Sequence, residues 1–223
     1  MRNKIFIAID TKSQEKAMSI INNCKITNFK IGYKFGLEFL NSKNGRHFIS
    51  KLKNKIIFLD LKLHDIPNTI SSTMLALKDL KINYLTVHIS SGYKALKDLK
   101  RVSGKTKIVG VTTLTSLDNK DLKSIGYNKT LRDIVISQSK LAKKAKLDAI
   151  VCSPLEVKFV RKIFDKEIIT PGIRISSKLD DQKRVMTPKA TFKQGSDWLV
   201  IGRGLTKGNV KKNFKILSDH LNK

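Results

Sequence analysis

The sequence predicts a single α/β domain of 223 residues, residues 1–223, folded as a closed (β/α)8 TIM barrel. Three observations predict it. Short apolar runs alternate with segments of helical spacing from one end of the chain to the other. The runs are continuously apolar, as in parallel strands covered on both faces. The turn after the first run, Asp10-Thr11-Lys12-Ser13, lacks the glycine fingerprint of a doubly wound nucleotide-binding sheet.

Each element follows in order. Lys4–Ile9 (KIFIAI) reads as strand one, ended by Asp10, and Ser13 is a suitable N-cap for a helix reaching Asn22. Ile26–Gly32 reads as strand two, followed by a broken helical pattern over Phe35–Leu40 and Gly45–Lys53. Lys55–Leu61 (KIIFLDL), rich in β-branched and aromatic residues, is strand three. Pro67 suits a first helical turn, and Asn68–Leu80 continues that helix. Tyr84–Ile89, Lys107–Thr112, Asp148–Cys152, Glu167–Thr170 and Trp198–Ile201 are strands four to eight. Helical spacing falls over Tyr93–Val102, Leu131–Ala145, Leu155–Phe164 and Asn209–Leu221. Trp198 is assigned to the core.

Composition narrows the setting. Forty per cent apolar residues can fill one core, and no stretch reads as a linker or a repeat. The apolar run after Met1–Lys4 is too short for a signal peptide, and no segment approaches the ~20 apolar residues of a spanning helix. Two cysteines, Cys24 and Cys152, offer neither a disulfide framework nor metal spacing. A cytoplasmic protein is expected. The net charge of +27 would suit a polyanion. However, the lysines are spread along the whole chain and aromatic stacking platforms are few, so a nucleic-acid partner is not expected.

A barrel of this kind puts its chemistry at the carboxyl ends of its strands. The residues expected there are Asp10, Lys30, Asp60 with Lys62 and Asp65, His88, Thr112 to Ser116, Ser153, Arg174, Gly202 and Arg203. Asp60 and Lys62 are two apart, so an extended backbone turns both to the barrel interior. Leu59, Leu61 and Leu63 then face the helices. Asp65 follows just past the strand end. An exposed end with an incidental ion pair is the bland alternative for such a triplet. Within a buried strand, charges held together point to function. A lysine flanked by carboxylates is a proton donor rather than a Schiff-base nucleophile. The carboxylates repel a substrate carboxylate but not a neutral product. Such an array suits a decarboxylation that needs no metal and no organic cofactor. His64 and His88 are read as structural groups. Gly202 allows backbone approach to a phosphate.

Asp60-Leu-Lys62-Leu-His64-Asp65-Ile66-Pro67-Asn68-Thr69 resembles the signature of bacterial-type orotidine 5'-phosphate decarboxylases. Phe-Lys30-Ile-Gly, Val111-Thr-Thr-Leu-Thr115-Ser116, Thr170-Pro-Gly-Ile-Arg174, Asp181-Gln182-Lys-Arg-Val-Met-Thr187-Pro188 and Val200-Ile-Gly202-Arg203 resemble further parts of it, in the family's order. The resemblance runs from Asp10 to Thr206. It implies conversion of orotidine 5'-monophosphate to uridine 5'-monophosphate and CO2, the last step of pyrimidine nucleotide synthesis, without cofactor or metal. By position, Lys62 is the implied proton donor to carbon six, beside Asp60. Asp10 and Lys30 hold the ribose and the charged network. Thr115 contacts the pyrimidine, Gln182 bridges base and phosphate, and Gly202 and Arg203 grip the phosphate. Arg174 opens the loop that covers it. Asp65 and Thr69 are implied to enter a neighbouring subunit's site in a homodimer.

Two other readings stay in view. A magnesium-dependent decarboxylase or aldolase of phosphorylated keto-sugars shares the Asp-x-Lys-x-x-Asp core. It generally lacks Ile-Pro-Asn-Thr after it. A basic nucleic-acid-binding protein would account for the charge but not for the convergence of strand ends.

Overall fold

Residues Asn3–Ile9 form the first strand, β1, and its pleat sorts the side chains between two cores. Ile5, Ile7 and Ile9 join a large cluster between strands and helices, while Phe6 and Ala8 join a smaller one inside the barrel. The computed structural model describes residues 3–24, 29–174 and 185–222. The remaining strands are β2 (Phe29–Gly36), β3 (Ile56–Leu63), β4 (Tyr84–His88), β5 (Lys107–Val111), β6 (Ala149–Val151), β7 (Glu167–Thr170) and β8 (Trp198–Ile201). They pair in sequence order, all parallel, and β8 returns to β1 to close the barrel. The predicted (β/α)8 barrel is the observed fold.

The α-helices described in the outer layer begin with α1 (Gln14–Asn23), α2 (Leu37–Leu40), α3 (Gly45–Lys51), α4 (Pro67–Ala76), α5 (Gly92–Val102), α6 (Asn119–Ser124) and α7 (Leu131–Lys144). They are followed by α8 (Val157–Arg161), α9 (Pro188–Lys193), α10 (Arg203–Thr206) and α11 (Val210–Asn222). Ser13 caps α1 through Lys16 N–H, as expected. Three helices escaped the sequence reading. For α6 the signal was present: Asp118 and Asp121 form a capping box. For α9 it was also present, in the N-cap Thr187 followed by Pro188. The short α10 carried no such signal. The helix expected over Leu155–Phe164 is confined to α8. Among the described residues no helix is long and apolar enough to cross a membrane.

The lower barrel is filled by aromatic rings. Phe6 stacks on Trp198 at 4.1 Å and meets Tyr84 edge-on at 5.1 Å, and Phe58 lies 4.9 Å away. Gly32 makes this possible, because a Cβ there would stand 2.5 Å from the Phe6 ring. At the amino ends of the strands Glu167 accepts hydrogen bonds from Tyr84 Oη (3.0 Å), Lys107 Nζ (2.9 Å) and Trp198 Nε1 (3.4 Å). Burial raises the Glu167 carboxyl, but Lys107 and these hydrogen bonds outweigh it and hold the group below its ordinary range. Burial and the same carboxylate push the Tyr84 phenol upward. The interior is thus a packed floor with polar seals below and space above.

Candidate active site

That space is a cavity of about 250 Å³ at the carboxyl ends of the strands. Phe58, the uppermost ring of the floor, lines it, together with Ala8 and Val200. The first three strands supply Asp10, Lys34, Asp60 and Lys62, and the segments after β7 and β8 supply Gly172, Arg174, Gly202 and Arg203. Thr115, after β5, also lines it.

Asp60 is the hub of the charged side. Its Oδ2 lies 2.9 Å from Lys62 Nζ and 3.3 Å from Lys34 Nζ, and its Oδ1 accepts a hydrogen bond from Thr86 Oγ1 at 3.1 Å. Lys34 Nζ is also 3.8 Å from Asp10 Oδ1. Burial alone would raise the Asp60 carboxyl. The Lys34 and Lys62 ammonium ions and the two hydrogen bonds outweigh it and hold the group below the usual carboxylate range. Asp60 is therefore a largely buried, ionised carboxylate at neutral pH, its side chain 13% exposed.

The backbone under this pair is not regular strand. Lys62 has φ +49°, in the left-handed region, and the β3–β4 register shifts between Leu59 and Leu63. A lysine there costs about 1–2 kcal/mol. The Lys62 N–H donates to Thr86 Oγ1 at 2.8 Å in place of a ladder partner. Simple alternation therefore accounts for Asp60 facing inward, whereas Lys62 reaches it through a local turn. Nothing in the residue types announced this turn, since lysine has no preference for positive φ. Leu59 and Leu61 do face the helix layer, with Leu63 packed against it.

Several expected site residues are brought together: Asp10, Asp60, Lys62, Thr115, Arg174, Gly202 and Arg203 all line the cavity. Lys30 does not. It is exposed and pairs with Lys4 near the amino end of β2, while Lys34 reaches Asp60. The correction has a simple cause. Lys30 and Lys34 are an even number apart and share one face, so only the position of the strand end chooses between them. β2 runs to Gly36, beyond the expected end at Gly32, and the expected start at Ile26 lies outside the described residues.

Asp65 and Thr69 are also away from their own chain's cavity. Asp65 is exposed and its Oδ1 accepts the Ile66 N–H at 2.7 Å, and Thr69 lies exposed on α4. Within one chain, Lys62 is flanked by Asp60 and not by Asp65. Gln182 lies outside the described residues. Ser153 is buried in the turn after β6, where its N–H donates to Glu156 Oε2 at 2.9 Å. His88, at the end of β4, has its ring 5.2 Å from that of His64, and burial, then His64 and Lys62, lower its affinity for a proton. Lys34 and Thr86 are the two contacts of Asp60 that the sequence reading missed. Thr86 carried a signal: it is a hydroxyl at an inward position between the apolar Leu85 and Val87.

On the β7–β8 side, a Cβ at Gly202 would stand 3.2 Å from Asp10 Oδ2, so glycine permits this close approach. Ile173 and Met186 form an isolated bridge, and the Arg174 N–H donates to the Met186 carbonyl at 3.1 Å. The two flanks of segment 175–184 are thereby joined at the cavity wall. Among the described residues no group of three or more His, Cys, Asp or Glu side chains is placed to hold a metal ion.

Comparison with known proteins identifies the family. The chain is 44% identical over 218 residues to the orotidine 5'-phosphate decarboxylase of Wolbachia sp. subsp. Brugia malayi, covering 95% of each chain. It is 42% identical over 214 residues to that of Sphingopyxis alaskensis, covering 94% of each. The crystal structure of orotidine 5'-phosphate decarboxylase from Lactobacillus acidophilus superposes with a TM-score of 0.85 at 31% identity, over 99% of this chain and 100% of that one. Orotidine 5'-monophosphate decarboxylase from Methanocaldococcus jannaschii, complexed with inhibitor BMP, gives 0.78 at 25% identity over the whole of both chains. The model of the orotidine 5'-phosphate decarboxylase / HUMPS family matches residues 3–213. With that span of similarity, a closed parallel barrel and a charged cavity at its carboxyl end, the chain belongs to the orotidine 5'-phosphate decarboxylase / HUMPS family.

Proposed function

We propose that the chain decarboxylates orotidine 5'-monophosphate to uridine 5'-monophosphate and CO2, completing pyrimidine nucleotide synthesis, with no metal and no organic cofactor. One observation carries the reading: the Lys62 ammonium stands 2.9 Å from a largely buried, ionised Asp60 on a cavity that also presents Gly202 and Arg203. The relatives in Wolbachia and Sphingopyxis are orotidine 5'-phosphate decarboxylases, and the Methanocaldococcus enzyme is complexed with an inhibitor, which supports the substrate.

In this reading the phosphate sits at Gly202 and Arg203, and the pyrimidine carboxylate sits at Asp60. The bond from carbon six to the carboxylate breaks and leaves its electron pair on carbon six. Lys62 stabilises that charge and then donates a proton to it, and its amine regains a proton from solvent. Asp60 repels the departing carboxylate less once it is neutral CO2. Contacts to the distant phosphate contribute binding energy usable at the reacting carbon. Thr115 would contact the pyrimidine and Arg174 the covering loop. On the resemblance alone, Gln182 would bridge base and phosphate. Asp65 and Thr69, exposed and outside their own cavity, would enter a neighbour's cavity in a cytoplasmic homodimer.

The test follows the loss of orotidine 5'-monophosphate absorbance with purified protein and excess chelator. Turnover undiminished by the chelator is expected. Absence of turnover would refute the substrate, and chelator-sensitive turnover of a phosphorylated keto-sugar would favour the magnesium-dependent alternative.

A further inference from the structure

Thr86 sits on β4 between the two residues on which the proposed chemistry depends, yet it does not line the cavity. Its side chain is completely buried. Its single hydroxyl is used in both directions: Oγ1 accepts the Lys62 N–H at 2.8 Å and donates to Asp60 Oδ1 at 3.1 Å. The first bond satisfies a backbone group left without a ladder partner by the register shift. It also holds Lys62 at φ +49°, a conformation that lysine leaves when nothing restrains it. The second bond fixes one carboxylate oxygen, so that the other is directed to Lys62 Nζ at 2.9 Å and Lys34 Nζ at 3.3 Å.

We infer that Thr86 is a positioning residue for the decarboxylation: one hydroxyl locks the left-handed turn at Lys62 and orients the Asp60 carboxylate beside its ammonium. This rests on the reading of Asp60 and Lys62 as the reacting pair. The requirement is for a small side chain with one hydroxyl on its β carbon, because both partners lie within hydrogen-bond reach of the same atom. Valine keeps the shape and removes the oxygen. Serine keeps the oxygen.

The groups facing Asp60 are Lys34 from β2, Lys62 on its own strand and Thr86 from β4, with Asp10 beyond Lys34 and His88 further along β4. Loss of the Thr86 hydroxyl removes one bond that favours the ionised carboxylate. The acid limb of the kcat–pH profile should then move to higher pH.

The experiment compares Thr86→Val and Thr86→Ser with the unsubstituted protein in steady-state decarboxylation of orotidine 5'-monophosphate across pH. Thr86→Val is expected to lower kcat by about 10- to 100-fold with KM changed by less than about threefold, and to raise the acid limb, because misplacing a reacting group acts on the chemical step. Thr86→Ser is expected to stay within about threefold of the starting kcat. A valine variant with unchanged kcat and acid limb overturns the inference, as does a serine variant as impaired as the valine one. Should Thr86→Val not fold, Thr86→Ser decides alone, a loss beyond about threefold refuting it. If the unsubstituted protein fails to turn over this substrate, it is the functional reading that fails. If it is active and Thr86→Val matches it, only the role of Thr86 fails.

Discussion

Lys62 Nζ and Asp60 Oδ2 stand 2.9 Å apart although the backbone that joins them leaves the strand conformation at Lys62. The pair is held by β4 as much as by β3, through the Thr86 hydroxyl. The charged site is thus a product of strand pairing and not of one motif alone.

Removing the ammonium should stop the reaction without emptying the site. Lys62→Ala is expected to lower kcat by at least about 10³-fold, the scale of a lost proton donor and charge stabiliser. Binding of a product analogue, measured by calorimetry, should remain. Near-normal turnover would rule out the role assigned to Lys62.

The two lysines of β2 can be separated by single substitutions. The motif resemblance names Lys30, whereas the geometry sets Lys34 against Asp60 at 3.3 Å. From the geometry, Lys34→Ala should reduce kcat/KM by about 100-fold or more, and Lys30→Ala should leave it within about threefold. The reverse result would restore the motif's assignment and mean that β2 sits four residues further along the barrel.

Arg203→Ala should act mainly on binding. The loss of a charged contact worth about 1.5–3 kcal/mol corresponds to roughly a 10- to 150-fold fall in kcat/KM for the phosphorylated substrate. The dephosphorylated nucleoside should be converted equally poorly by both proteins. An unchanged kcat/KM for the phosphorylated substrate would contradict the grip.

Glu167 gives the barrel floor a pH dependence. Its carboxyl is held below its ordinary value of 4.5, so it contributes stability that is complete above that value. That contribution is lost as the pH falls through the lower, folded-state value. Glu167→Gln should therefore lower Tm at pH 7 and flatten the decline of Tm below about pH 4.5. Parallel Tm–pH curves for the two proteins would contradict this account.

The barrel was legible because eight apolar runs recur along the chain with helical spacing between all but the last two, and parallel strands covered on both faces admit few other arrangements. Asp60 and Lys62 were legible because charge in an apolar strand is costly without a purpose. Strand ends were less so. KIGYKFG carries two lysines, four residues apart, on one face, and apolar content does not say where the strand meets the rim. The left-handed turn at Lys62 was invisible, because it is imposed by pairing with β4 and not by residue preference. Thr86 could have been found by asking why an inward position between Tyr84 and His88 is a hydroxyl. The outward course of Asp65 depends on where β3 ends, at Leu63, which a spacing rule alone does not give.

The stacked rings of Phe6 and Trp198, with Phe58 above them, have one more result. They stopper the cylinder, so no passage runs through it from end to end. Whatever enters at the rim must leave by the same doorway, and an incoming nucleotide has to wait for the departing one. Inhibition by the product should therefore be competitive, relieved by raising the substrate concentration.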